Sequence, residues 1–142
     1  MCLSLYNSSI NPVYMISRHL FYQVNDASLV KLAGSCFRLR YVSLGLCSQV
    51  KDSTLIKLGT NCPDLKFLNL YKCINLSEHG LERLLSSSNK LKFLDIRDIR
   101  DVTRTFVNRM KKQYRYVEIK FSLKSRQPRM RWINDCEQEL IF

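Results

Sequence analysis

Two stretches of this chain can be laid on one another without a gap. A shift of 26 residues, the distance from Cys36 to Cys62, places Cys36, Leu39, Val42, Leu44, Cys47, Val50, Leu55 and Leu58 on Cys62, Leu65, Leu68, Leu70, Cys73, Leu76, Leu81 and Leu84. Every position stays apolar or cysteine. Self-similarity at a fixed period means that one structural unit recurs and buries its apolar side against the next copy. Inside the unit, Leu65, Leu68 and Leu70 have the spacing of a short strand. Leu81 and Leu84 lie three apart, as on the buried stripe of a short helix.

The same shift reaches forward to Leu91, Leu94, Ile96, Ile99, Val102, Val107 and Met110, and backward to Val13, Ile16, Val24, Leu29 and Leu32. Backward, Arg18 lands where Leu44 stands, so the first strand, Val13 to Phe21, is either slipped by a residue or frayed; a buried unpaired Arg is costly. Forward, Tyr114, Val117 and Ile119 restart the pattern early, and Tyr114 to Phe121 reads as a last strand. That makes about five coils over residues 12–121, with a frayed segment at 1–11 and a basic, poorly ordered tail at 122–142. Asn25, Ser77 and Thr103 are natural helix caps at equivalent positions. Lys51 is not, so Asp52 or Ser53 is expected to cap the second helix, or its first N–H groups are left to water. Gly34 and Gly59 read as helix ends.

Of the 142 residues, 46% are hydrophobic and 25% charged, an ordinary globular balance. No apolar run approaches the ~18 residues that span a bilayer, and Met1 to Ile10 lacks a basic start followed by an apolar block. The formal charge of +11 is concentrated: Lys90 to Arg131 holds fourteen Lys/Arg against four Asp/Glu. Such a half suits nucleic acid, an anionic surface or an acidic protein, or is simply a solvated face. Four of the six cysteines occupy two fixed positions of the repeat. Their spacing is not that of close C-x-x-C zinc pairs, so they read as small buried thiols, with no metal or other cofactor. Reduced thiols point to the cytosol or nucleus.

The order Cys-x-x-Leu-x-x-Leu-x-Leu-x-x-Cys-x-x-Leu-[Ser/Thr]-[Asp/Glu]-x-Gly-Leu, read from Cys62 to Leu81, resembles the cysteine-containing leucine-rich repeat of F-box/leucine-rich-repeat proteins. The resemblance implies an α/β fold: a curved solenoid with parallel strands on the concave face and short helices on the convex face. It also implies substrate recruitment to a Skp1-cullin-F-box (SCF) ubiquitin ligase. No F-box with its Leu-Pro start precedes Val13, so Skp1 and cullin contact is not expected through this chain. The alternatives are a piece of a longer F-box protein and a related adaptor.

No nucleophile-base constellation is visible: His19 and His79 are isolated, and there is no Gly-rich phosphate loop. The expected role is non-catalytic protein binding. Strand residues alternating with the inward leucines form outward columns. They are Tyr41, Phe67, Phe93 and Tyr116; then Ser43, Asn69, Asp95 and Glu118; then Gly45, Tyr71, Arg97 and Lys120. A protein substrate is expected on these columns, with the aromatics as anchors and Arg97 and Lys120 as a charged rim. Asn69, outward, is expected to matter little for folding. The alternatives are a scaffolding repeat protein unrelated to ubiquitin and anion binding by the basic half.

Overall fold

In the computed structural model the backbone of residues 14–16 and the whole of residues 25–123 are described. The elements alternate: β1 (Tyr14–Ile16), α1 (Asp26–Ser35), β2 (Tyr41–Ser43), α2 (Asp52–Asn61), β3 (Phe67–Asn69), α3 (Glu78–Ser87), β4 (Phe93–Asp95), α4 (Arg104–Gln113) and β5 (Glu118–Lys120). The strands form one sheet in chain order, and every neighbouring pair is parallel. The fold is α/β with one helix between successive strands.

Each strand is only three residues long because the chain turns directly after it. Leu46, Lys72 and Asp98 take left-handed backbone conformations with φ of 68°, 56° and 59°. None is a glycine, so each carries a steric cost that something must offset. Their N–H groups donate to the carbonyls of Tyr71, Arg97 and Ser122 at 2.6, 3.0 and 3.2 Å. The conformation is held by the neighbouring unit.

The repeated apolar positions form one core. Val42, Leu68, Leu94 and Ile119 of the strands pack with Leu55, Leu58, Leu81, Leu84, Val107 and Met110 of the helices. Cys36, Cys47, Cys62 and Cys73 lie inside it and are free thiols. Cys62 Sγ donates to the Cys36 carbonyl at 3.4 Å, and Cys73 Sγ to that of Leu44 at 3.1 Å, so each thiol ties its unit to the one before. Burial, then the neighbouring Cys36, pushes the Cys62 thiol up to about 11, and burial raises Cys73 further still. Such thiols are not nucleophiles at neutral pH.

The outer strands depart from the 26-residue register. Met15, not Ile16, pairs with Val42, a spacing of 27, so the first strand is slipped by one residue. At the other end Leu94 pairs with Ile119, a spacing of 25. Val117 still repeats Leu91: its N–H donates to the Tyr114 carbonyl at 3.0 Å, as that of Leu91 does to Ser88 at 3.5 Å. One residue is therefore missing between Val117 and Ile119, and β5 is confined to Glu118–Lys120. Tyr114, expected to open that strand, instead ends α4 as a buried C-cap residue.

Gly34 and Gly59 do not end their helices, which run on to Ser35 and Asn61. A Cβ on Gly59 would stand 3.1 Å from Ser87 Cβ and 3.3 Å from Leu84 Cα, so its smallness lets α2 approach α3. The expectations for residues 1–11, His19 and the tail beyond Leu123 lie outside the described residues.

Candidate partner-binding face

Strand alternation gives the sheet two unlike sides. Val42, Leu68 and Leu94 are buried against the helices, while Tyr41, Phe67 and Phe93 on the other side are half-buried. The register sets these three rings next to one another, Tyr41 beside Phe67 beside Phe93. Phe67 and Phe93 stack face to face with centroids 4.6 Å apart and planes 3° from parallel. Tyr41 leans on Phe67 at 6.4 Å and 34°.

The second column is Ser43, Asn69, Asp95 and Lys120, and Glu118 completes the first. The expected place of Tyr116 beside Phe93 is thus taken by Glu118, and Lys120 faces Asp95, not Arg97. The cause is that Tyr114 ends α4 instead of opening the strand, so β5 starts at Glu118 and the places expected on this face move along by two residues. Tyr116 lies before β5, exposed, with its ring edge against Tyr114 at 6.3 Å.

Polar groups on the face are mutually engaged. Asn69 Oδ1 accepts from the Tyr71 N–H at 2.9 Å, so it holds the turn after β3 and is not a mere surface group. Asp95 repeats this with the Arg97 N–H at 3.1 Å and is fully buried. The Arg97 guanidinium grips it through Nε and Nη2, both at 2.9 Å. A two-bond fork of this kind fixes the Arg side chain as well as satisfying the buried carboxylate. Arg97 Cζ then lies 5.3 Å from the Tyr71 ring centroid, Lys72 Nζ 5.2 Å from it, and Lys120 Nζ 5.3 Å from that of Phe93. Cations over aromatic rings are attracted by the ring quadrupole.

The helices are joined by a second series that sequence reading missed. The first residues of α1, α2 and α3 are Asp26, Asp52 and Glu78, each 26 apart. Asp52 accepts from the Ser77 N–H at 2.9 Å and from its hydroxyl at 2.5 Å. Glu78 accepts from the Thr103 N–H at 2.8 Å and its hydroxyl at 2.6 Å. Asp26 takes the Lys51 N–H at 3.0 Å, the Thr54 hydroxyl at 2.6 Å and the Ser53 hydroxyl. Each carboxylate therefore steadies the start of the next helix. Neither Asp52 nor Ser53 caps α2: the N-cap residue is Lys51, which makes no side-chain cap, and Asp26 instead holds the Lys51 N–H and the Ser53 and Thr54 hydroxyls. The signal in the sequence was an acidic residue recurring at the repeat period as Asp26, Asp52 and Glu78.

Among the described residues no cluster of His, Cys, Asp or Glu could hold a metal ion, and no helix is long and apolar enough to cross a membrane. No model of a known protein family matches the chain, and no curated protein matches it.

Proposed function

We propose that the chain is a leucine-rich-repeat solenoid of about five coils, with the strands on a concave face and the helices on a convex one. In this reading it is a non-catalytic protein-binding module that selects substrates for an SCF-type ubiquitin ligase. The observation that carries the binding part is the ring column of Tyr41, Phe67 and Phe93 on the side of the sheet without helices. Aromatic and Arg side chains dominate interface energetics, and apolar clusters that stay accessible to water mark partner sites. The ubiquitin part rests on the resemblance of the Cys62 to Leu81 pattern.

Affinity capture with the full chain, compared with Phe67→Ala/Phe93→Ala, tests both parts. The expected result is a partner lost with the double substitution at little change in melting temperature; Skp1 and cullin, which this chain is not expected to contact, join the retained proteins only when an F-box is supplied on the same chain. A partner that survives the double substitution but is lost with Arg109→Ala/Lys112→Ala moves the site to the helix side. A partner that depends on the rings but is not ubiquitinated when an F-box is fused to the chain leaves a binding module outside ubiquitin ligation.

A further inference from the structure

The helices between the strands do not carry charge alike. α1 and α2 each hold one acidic and one basic residue, and α3 two acidic and one basic, but α4 holds Arg104, Arg109, Lys111 and Lys112 and no acidic residue. The stretch from Val102 to Val117 adds Arg115 and contains no Asp or Glu. Arg104 breaks the repeat outright. It stands 26 residues after Glu78, at the first helical position that Asp26 and Asp52 hold in α1 and α2.

Helix electrostatics accounts for part of this. Lys111 and Lys112 lie in the last turn of α4, where the partial negative charge of the helix end favours cations. Arg104 lies in the first turn, beside the partial positive charge, where a cation is disfavoured and the other three helices place acids. The start of α4 is already held without it: the Thr103 hydroxyl accepts from the Phe106 N–H at 3.2 Å, and Glu78 accepts from the Thr103 N–H and hydroxyl. Folding alone does not explain a positive charge there.

The cations share one side of the helix. Phe106, Val107 and Met110 are buried and fix the inward face. Arg104, Asn108, Lys111 and Lys112 are exposed, and the last three follow Arg104 by four, seven and eight residues, which puts them on one face of an α-helix. Arg109 flanks this strip, with its guanidinium carbon 5.6 Å from the Phe106 ring centroid and Nη2 3.5 Å from Glu82. From Arg104 to Lys112 the strip runs about 12 Å, at 1.5 Å of rise per residue.

The rest of the exposed face indicates which polyanion suits it. A helix that lies in a lipid surface needs apolar side chains to insert, and those of α4 are in the core. A protein interface is anchored by aromatic residues, and single strands are held by stacking on open rings. The one ring of α4, Phe106, is buried. What remains beside the cations is Thr105, Asn108 and Gln113, hydrogen-bonding groups of the kind that contact phosphate oxygens. A duplex presents a regular row of phosphates with its bases turned inward, about one charge per 1.7 Å of axis.

We propose that the exposed face of α4 binds the phosphate backbone of a nucleic-acid duplex without reading its sequence, through Arg104, Lys111 and Lys112 with Arg109 at the flank. This is a second surface, on the helix side of the sheet, and it does not rest on the protein-binding reading. Three or four phosphate contacts predict an affinity that falls about 40- to 150-fold between about 50 and 200 mM salt.

The test is fluorescence anisotropy of the full chain with a labelled DNA duplex, its single strand, polyglutamate and phosphatidylserine vesicles, over a salt series. The duplex should bind most tightly and with that salt dependence. Arg104→Gln/Lys111→Gln/Lys112→Gln should reduce the slope of log affinity against log salt by about 2 to 3 without lowering the melting temperature, and Arg104→Gln alone by about 1. Lys31→Gln/Lys57→Gln, which removes exposed cations of α1 and α2, should leave the slope unchanged, as should Phe67→Ala/Phe93→Ala on the far side of the sheet. Tighter binding of the single strand, polyglutamate or vesicles overturns the proposal, as does the absence of duplex binding. A slope that survives the triple substitution, or falls equally with Lys31→Gln/Lys57→Gln, also overturns it, the latter because attraction would then follow net charge and not this face.

Discussion

Single atoms decide several positions in this chain. Ser88 occupies the place held by Cys36 and Cys62, but its buried Oγ has no hydrogen-bond partner, whereas the longer C–S bond lets Cys62 reach the Cys36 carbonyl. An unsatisfied buried hydroxyl costs about 1 to 3 kcal/mol, so Ser88→Cys should raise stability by about 1 kcal/mol in a urea melt. No gain there means that the thiol contacts contribute little. Gly80 is constrained in the opposite sense: a Cβ would stand 2.3 Å from Asp52 Oδ1. Gly80→Ala should therefore cost about 1 to 3 kcal/mol despite the better helix propensity of alanine. Cys62 also brings a pH dependence. The folded state holds the thiol proton more tightly, up to about 11 against the ordinary 9.0, so this contribution is complete below pH 9 and lost as pH rises through 11. Cys62→Ala should flatten the alkaline fall in denaturant midpoint over that window.

At the level of helices and strands, caps and registers matter more than propensity. Removing the carboxylate in Asp52→Ala leaves the Ser77 N–H and hydroxyl without their acceptor and should cost about 1 to 2 kcal/mol. Native-state hydrogen exchange should show the loss at the start of α3 and leave α1 unchanged; equal loosening of α1 and α3 would refute the directional cap. Burial alone would raise the Asp26 pKa, but hydrogen bonds from Ser53, Thr54 and the Lys51 N–H outweigh it and hold the carboxyl below its ordinary 3.8. Its contribution to stability is thus present above pH 3.8 and lost as pH falls through the lower folded value. Much of this level was legible beforehand. The caps Asn25, Ser77 and Thr103 and the pairing of β2, β3 and β4 follow from local chemistry and a fixed period. The last strand did not, since a one-residue deletion between Val117 and Ile119 leaves apolar residues on both sides and shows only when the backbone is paired. Nor did the support of α2 by Asp26, because a bond between residues 25 apart has no local signature.

For the molecule as a whole, the two sides of the sheet respond differently to substitution. Leu68, fully buried, should cost about 2 to 5 kcal/mol as Leu68→Ala. Asn69, one residue on and outward, should cost only about 1 kcal/mol as Asn69→Ala, the worth of its bond to the Tyr71 N–H, where sequence alone suggested almost nothing. Equal losses in denaturant melts would mean that the two faces have been exchanged, because a one-residue slip reverses every side chain of a strand. The candidate face was partly readable in the same way: alternation located Tyr41, Phe67 and Phe93, but not the stacking of two of them or the burial of Asp95 beneath Arg97. The carboxylate series running from Asp26 to α2, Asp52 to α3 and Glu78 to α4 points one way along the chain. A ribosome delivers the chain in that same direction, so the acceptor that will anchor each of these helices leaves the exit tunnel before the helix that needs it. Growth from the first unit onward can then proceed as a ratchet, each finished turn presenting a ready template to the next.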